Sequence, residues 1–133
     1  MWNEPRPRVV IAGEALIDLI IGQDGSVTPA AGGGQYNAAR ALARLGGSVE
    51  FLGRISDDWF GKLLRSKLEE DGVGTSLVVD TGDPTTLVLA EIDEAGVAHH
   101  HWYIKNTTVP GLGLKAALAA LTPVPSQCQV SIR

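Results

Sequence analysis

The sequence predicts an α/β fold built on a doubly wound, mainly parallel sheet. Three observations carry that prediction. A continuous apolar run at residues 9–12 suits a strand buried on both faces. Apolar residues recur at spacings of three and four through 36–45 and again through 58–71, which is the signature of amphipathic helices. Strand-like runs at 48–55 and 75–80 alternate with those helices, so the order is strand, helix, strand, helix, strand. The chain has 133 residues, 44% of them hydrophobic and 20% charged, enough apolar material for the core of one domain.

Each element has its own signal. After the first run, Gly13 and Glu14 interrupt the pattern and a strand resumes over 15–21. Asp24-Gly25 marks a tight turn. The stretch TPAAGGG at 28–34 reads as a loop. In the first helix Ala38, Ala39, Leu42 and Leu45 share one face, and Gly46 and Gly47 terminate it. SVEFLGRI at 48–55 is the next buried strand. Asp57 and Asp58 open the second helix, where a carboxylate suits the positive N-terminal end. Its apolar stripe is Phe60, Leu63, Leu64 and Leu68, and Gly72 ends it. TSLVVD at 75–80 is the third strand of the alternation.

The pattern then changes. TTLVLAEID and GVAHHHWYIK flank Glu94-Ala95-Gly96, which predicts an antiparallel hairpin. A last helix spans 112–121, stopped at Thr122-Pro123. Val130 and Ile132 alternate with polar residues, so a strand is expected at the end of the chain.

Charge and cysteine content narrow the function. A net charge of −4 with no run of Lys or Arg argues against nucleic-acid or membrane-surface binding. The single cysteine, Cys128, excludes an internal disulfide and a multi-cysteine zinc site, and one reduced thiol fits a cytoplasmic protein. The apolar stretch over 9–21 is broken by Gly13, Glu14 and Asp18, so it predicts neither a signal peptide nor a membrane span.

Several residues invite chemistry. The glycines at 32–34 lead into a helix. Such a turn lets backbone amides approach a ligand closely, beside a helix end that favours polar groups. Taken alone, the same glycines fit a flexible loop. They form neither a Walker loop nor a dinucleotide fingerprint. Asn37 can donate and accept at once, as neighbouring sugar hydroxyls require, but its spacing favours a helix cap. Asp18 sits in an apolar strand, where a carboxylate needs a partner. It either faces a ligand or marks the polar side of a half-exposed strand. In HHHWY, only His99 and His101 share a face and can meet one ion, so a solvated strand face is the plainer reading. Cys128 has no activating neighbours in its sequence pattern.

Taken together, four segments resemble the N-terminal part of the ribokinase-like, or PfkB, family of sugar kinases. They are GEALIDL at 13–19, GGGQYNAARALARLG at 32–46, GRISDDWFGKLLRSKLEEDGV at 53–73 and PTTLVLAEIDEAGVAHHHWY at 84–103. GEALIDL is most similar to the fructokinase-type branch. The resemblance covers about 8–110 and departs at Gln35-Tyr36, where small residues are common, and at Ser56, where glycine is usual.

The resemblance implies that the glycine turn holds a sugar. Asp18 would accept hydrogen bonds from sugar hydroxyls. Gly33 and Gly34 would let the backbone approach the ring, and Asn37 would fix another hydroxyl. Antiparallel segments at 15–28 and 85–104 would form a lid that covers the sugar and excludes water. Tyr103, on that lid, would pack against substrate, and the lid would mediate a homodimer. The family activity is transfer of the ATP γ-phosphate, with Mg2+, to a sugar hydroxyl. Its catalytic aspartate and anion hole belong to a Gly-Ala-Gly-Asp signature in the C-terminal half, and those four residues do not occur in succession here. The expectation is therefore one incomplete kinase domain over 1–133. It carries the sugar-binding half, without ATP or metal sites, and is inactive alone. The alternatives are a non-catalytic sugar-binding or dimerisation module, or a truncated gene product, since the ending SQCQVSIR fits a frame change or an early stop.

Overall fold

The computed structural model describes residues 8–122 and 129–132. Its first layer is a three-stranded parallel sheet. β1 (Arg8–Ala12) lies at the centre, with β4 (Ser48–Leu52) on one side and β9 (Gln129–Ile132) on the other. β9 is the terminal strand expected from the alternation of Val130 and Ile132. Cys128 lies outside the described residues.

Both faces of this sheet are covered, as the continuous apolar run in β1 requires. Ile11 joins Val49 and Phe51 of β4 on the face that meets α1 (Gly34–Arg44) and α2 (Trp59–Glu70). Tyr36, Ala39, Leu64 and Leu68 complete that core. Val10 and Ala12 point the other way and pack with Leu52, Leu77 and residues of α3 (Leu114–Leu121). Burial of each large apolar side chain contributes roughly 1.5–3 kcal/mol.

The strand predicted over 48–55 is two strands. The chain turns at Gly53, and β5 (Arg54–Ser56) leaves β4 to pair in parallel with β6 (Val79–Thr81). The bond from Val79 N–H to the Gly53 carbonyl at 2.9 Å fixes the divergence. β6 is shorter than predicted because Val78 N–H bonds the Thr75 carbonyl at 3.2 Å, so those residues form a turn. α1 starts at Gly34, two residues before its apolar face begins.

A second sheet of four strands projects from this body. Its order is β3 (Val27–Gly32), β2 (Leu16–Ile21), β7 (Leu87–Ile92), β8 (Ala98–Tyr103). The segment 28–34, read as loop, supplies most of β3 and the start of α1. Pro29 and two alanines hide the strand pattern, and pairing with β2 overrides that weak local preference. The outer pairs are antiparallel, whereas the central pair β2–β7 is parallel. Two hairpins, whose central partners Leu19 and Leu89 lie 70 residues apart in sequence, thus join edge to edge.

Candidate sugar site at the glycine turn

The first body and the projecting sheet meet at the glycine turn. Gly32 ends β3, and Gly33 caps α1 with φ 107°. A side chain on Gly33 would stand 2.5 Å from the Glu14 carbonyl oxygen, so only glycine allows the turn to press onto that backbone. A methyl group on Gly32 would stand 2.2 Å from Oδ2 of Asp18. The Asp18 carboxylate therefore occupies the space that the missing side chain leaves, and Asp18 and the turn are one local structure.

Asp18 is half-buried, and no hydrogen bond reaches its carboxylate among the described residues. Burial lifts its pKa above the usual aspartate value, and the charge of His100 offsets only part of that rise. A carboxylate in this setting has unused acceptor capacity and a reason to take hydrogen-bond donors.

Asn37 does not cap the helix. The capping residue is Gly33, which has no side chain to offer; Asn37 instead donates its backbone N–H to the Gly33 carbonyl at 2.9 Å. Its side chain is exposed, one turn above Gly33. Gly34 is exposed, and its N–H points to Glu14 Oε1 at 3.4 Å. Gly33, Gly34, Asn37 and Asp18 thus gather around the turn. Tyr103 does not join them. Register pairs Leu87 with Tyr103 and Val88 with Trp102, while Asp18 pairs with Val88. Paired residues share a face, so Trp102 lies on the Asp18 face and Tyr103 on the opposite one.

The histidine run divides in the same way. His99 bonds Asp93 at 2.8 Å and His101 sits 3.5 Å from Glu91, while His100 lies on the Asp18 face. Among the described residues, no group of three or more metal-ligating side chains converges.

A cavity of about 230 Å³ opens beside the turn, at the C-terminal ends of β1 and β4 where ligands of parallel sheets bind. Gly13, Glu14, Gln35, Arg54, Thr108 and Leu112 line it. Arg54 is held by Asp83 at 2.6 Å, the Thr81 hydroxyl at 2.7 Å and the Thr108 carbonyl at 3.3 Å. Glu14 and Arg54 sit inside the segments GEALIDL and GRISDDWFG, yet neither stood out, because no spacing rule marks a residue that follows a parallel strand. Of the departures at Gln35-Tyr36, only Gln35 reaches the cavity. Tyr36 is fully buried in the core instead.

The pfkB family carbohydrate kinase model matches residues 6–110. The chain belongs to that family. It is 35% identical to a fructokinase of Vibrio alginolyticus over 99 residues, which are 74% of this chain and 32% of the relative. It is 39% identical to a fructokinase of Escherichia coli over 90 residues, 67% of this chain and 29% of the relative. Among solved structures, a fructokinase of Xylella fastidiosa with bound ATP superposes with a TM-score of 0.77 and 31% identity, covering 84% of this chain and 35% of that one. The chain spans about a third of the length of the relatives it matches. No helix among the described residues is long and apolar enough to cross a membrane.

The turn suits a neutral polyol better than a phosphate. Two carboxylates, Glu14 and Asp18, flank it, and either would repel a phosphate placed there.

Proposed function

We propose that this chain supplies the sugar-holding part of an ATP-dependent carbohydrate kinase, with a ketohexose such as fructose as acceptor. The observation that carries this reading is the Asp18 carboxylate, free of hydrogen bonds among the described residues and seated against Gly32 of the turn. Asp18 accepts from sugar hydroxyls, Gly33 and Gly34 admit the ring to the backbone, and Asn37 binds a further hydroxyl. The second sheet acts as the lid, keeping water from competing as phosphoryl acceptor. Mg2+-ATP would supply the phosphoryl group from residues outside the turn. The fructokinase relatives support the substrate class, and the single cysteine supports a cytoplasmic site of action. The exposed outer strand β8 supports a homodimer through the lid.

Titration of the 15N-labelled chain with D-fructose tests the sugar site. Shifts centred on residues 14–18 and 32–37, lost in Asp18→Asn, are expected. Absence of any saturable shift would overturn the reading. In an ADP-release assay with a sugar panel, the 133-residue chain alone should show no turnover, and clear turnover would overturn its assignment as the sugar-holding part.

A further inference from the structure

The first turn of α1 places a carboxamide in the wall of the cavity. Gln35 follows Gly34 there. Its stem lies across Gly13, just past the end of β1. A side chain on Gly13 would stand 2.6 Å from Cβ and 2.7 Å from Cδ of Gln35. The bare backbone of Gly13 is therefore the seat of the Gln35 stem. That seat holds Gln35 in the cavity wall beside Glu14 and Arg54.

A primary amide carries two donor hydrogens and an acceptor oxygen. Gln35 is half-buried, and no hydrogen bond reaches its carboxamide among the described residues. Its charged neighbours do not supply one. Arg54 is committed to Asp83, to the Thr81 hydroxyl and to the Thr108 carbonyl. Glu14 takes the Gly34 N–H at 3.4 Å, a long contact that leaves most of its acceptor capacity unused. The groups open to a ligand are thus a neutral amide and a carboxylate, beside the apolar side chains of Val109 and Leu112. An anion is disfavoured, because Glu14 repels it and Asp83 already offsets Arg54. A hydroxyl on a short carbon arm fits this set. It donates to one group, accepts from the amide and lays its CH2 on the apolar wall.

Gln35 and Asn37 stand two residues apart, about 200° around the helix axis, so the turn has an amide on each flank. We propose that Gln35 is a specificity-determining residue of the sugar site, its carboxamide holding a hydroxymethyl group of the ketose that reaches from the turn into the cavity. The proposal rests on the sugar-site reading above. It predicts preference for ketoses that carry this hydroxyl over analogues that lack it.

The test uses the 15N-labelled 133-residue chain with D-fructose, 1-deoxy-D-fructose and 6-deoxy-D-fructose as probes. The side-chain amide signals of Gln35 should shift on titration with fructose. Those of Gln23, whose amide bonds the Asp93 carbonyl at 3.2 Å in the second sheet, should stay fixed. Gln35→Met keeps an unbranched stem over Gly13 and removes the amide. It should weaken fructose binding about tenfold, the scale of one lost hydrogen bond. Wild type should bind one of the two deoxy sugars about tenfold more weakly than fructose, and Gln35→Met should bind that sugar and fructose alike. If fructose binds in an Asp18-dependent way while Gln35→Met binds as wild type does, the proposal falls and the sugar site stands. If wild type binds all three sugars equally, or if Gln35→Met keeps the wild-type discrimination, Gln35 reads no hydroxymethyl group and the proposal falls. If the wild-type chain shows no saturable binding, the sugar-site reading falls and takes the proposal with it.

Discussion

Asp58 accepts two hydrogen bonds from Thr85, from its N–H at 2.8 Å and from its hydroxyl at 2.7 Å. The same carboxylate caps α2 through the N–H of Gly61 at 2.7 Å. One side chain therefore starts a core helix and ties down the root of β7, the strand whose hairpin forms half of the second sheet. Loss of an N-cap of this kind costs about 1–2 kcal/mol. Asp58→Ala should lower the stability of the chain by at least that much in urea titration. It should also speed amide exchange in β7 and β8 more than in β1.

Asp58 also sets an acid limit. Burial by itself would raise its pKa. The hydrogen bonds from Thr85, Gly61 and Ser56 outweigh burial and hold it below the ordinary aspartate value of 3.8. A carboxyl depressed in the folded state adds stability above that value and loses it as pH falls through the lower, folded one. Wild type should therefore lose stability below about pH 4, and Asp58→Ala should show a shallower acid limb in thermal melts across pH.

The second helix is fastened a second way. Tyr36 donates its hydroxyl to the Leu64 carbonyl at 2.8 Å and meets Phe51 edge-on at 5.9 Å. Burial pushes its pKa up to about 12 from 10.0. A group raised in the folded state stabilises below its unfolded value and loses that contribution as pH rises toward the folded one. Tyr36→Phe should lower stability by about 1 kcal/mol at neutral pH, since one buried hydrogen bond is removed. The same variant should weaken the loss of stability between pH 10 and 12, read by circular dichroism.

These residues show where the sequence was legible. Periodicity revealed both long helices, and the carboxylate at 58 was placed at its helix start because capping chemistry is local. The β7–β8 hairpin was visible through its turn. β3 was not, because its residues acquire strand structure only by pairing with β2. The face of Tyr103 was equally hidden. It depends on the register of three strands, which single-strand alternation cannot supply. Asp18 and the glycine turn were visible as separate signals, but their contact arises from the β2–β3 pairing.

The turn itself yields a further prediction. Gly33→Ala must place a methyl group against the Glu14 carbonyl at a φ that L-residues rarely adopt. The helix cap and the backbone approach should both be disturbed. Destabilisation of roughly 1–3 kcal/mol is expected, with loss of fructose binding, whereas exposed Gly34→Ala meets no neighbour in the chain and should cost far less stability while still weakening fructose binding. Denaturant midpoints for the two variants, measured side by side with fructose titrations, check the contrast.

Asp18 predicts how sugar binding should respond to acid. The ionised carboxylate is the form that accepts hydroxyl hydrogens, so affinity should fall as pH falls through its pKa. Because burial raises that pKa, the fall should begin at a higher pH than for an ordinary aspartate at 3.8. The charge of His100 favours the carboxylate. Removing it in His100→Ala should therefore move the midpoint upward, while Asp18→Asn should abolish the pH dependence together with most of the affinity. Fructose titrations followed by NMR between pH 4 and 7 separate these outcomes. A midpoint indifferent to His100 would place that ring's charge outside the reach of Asp18.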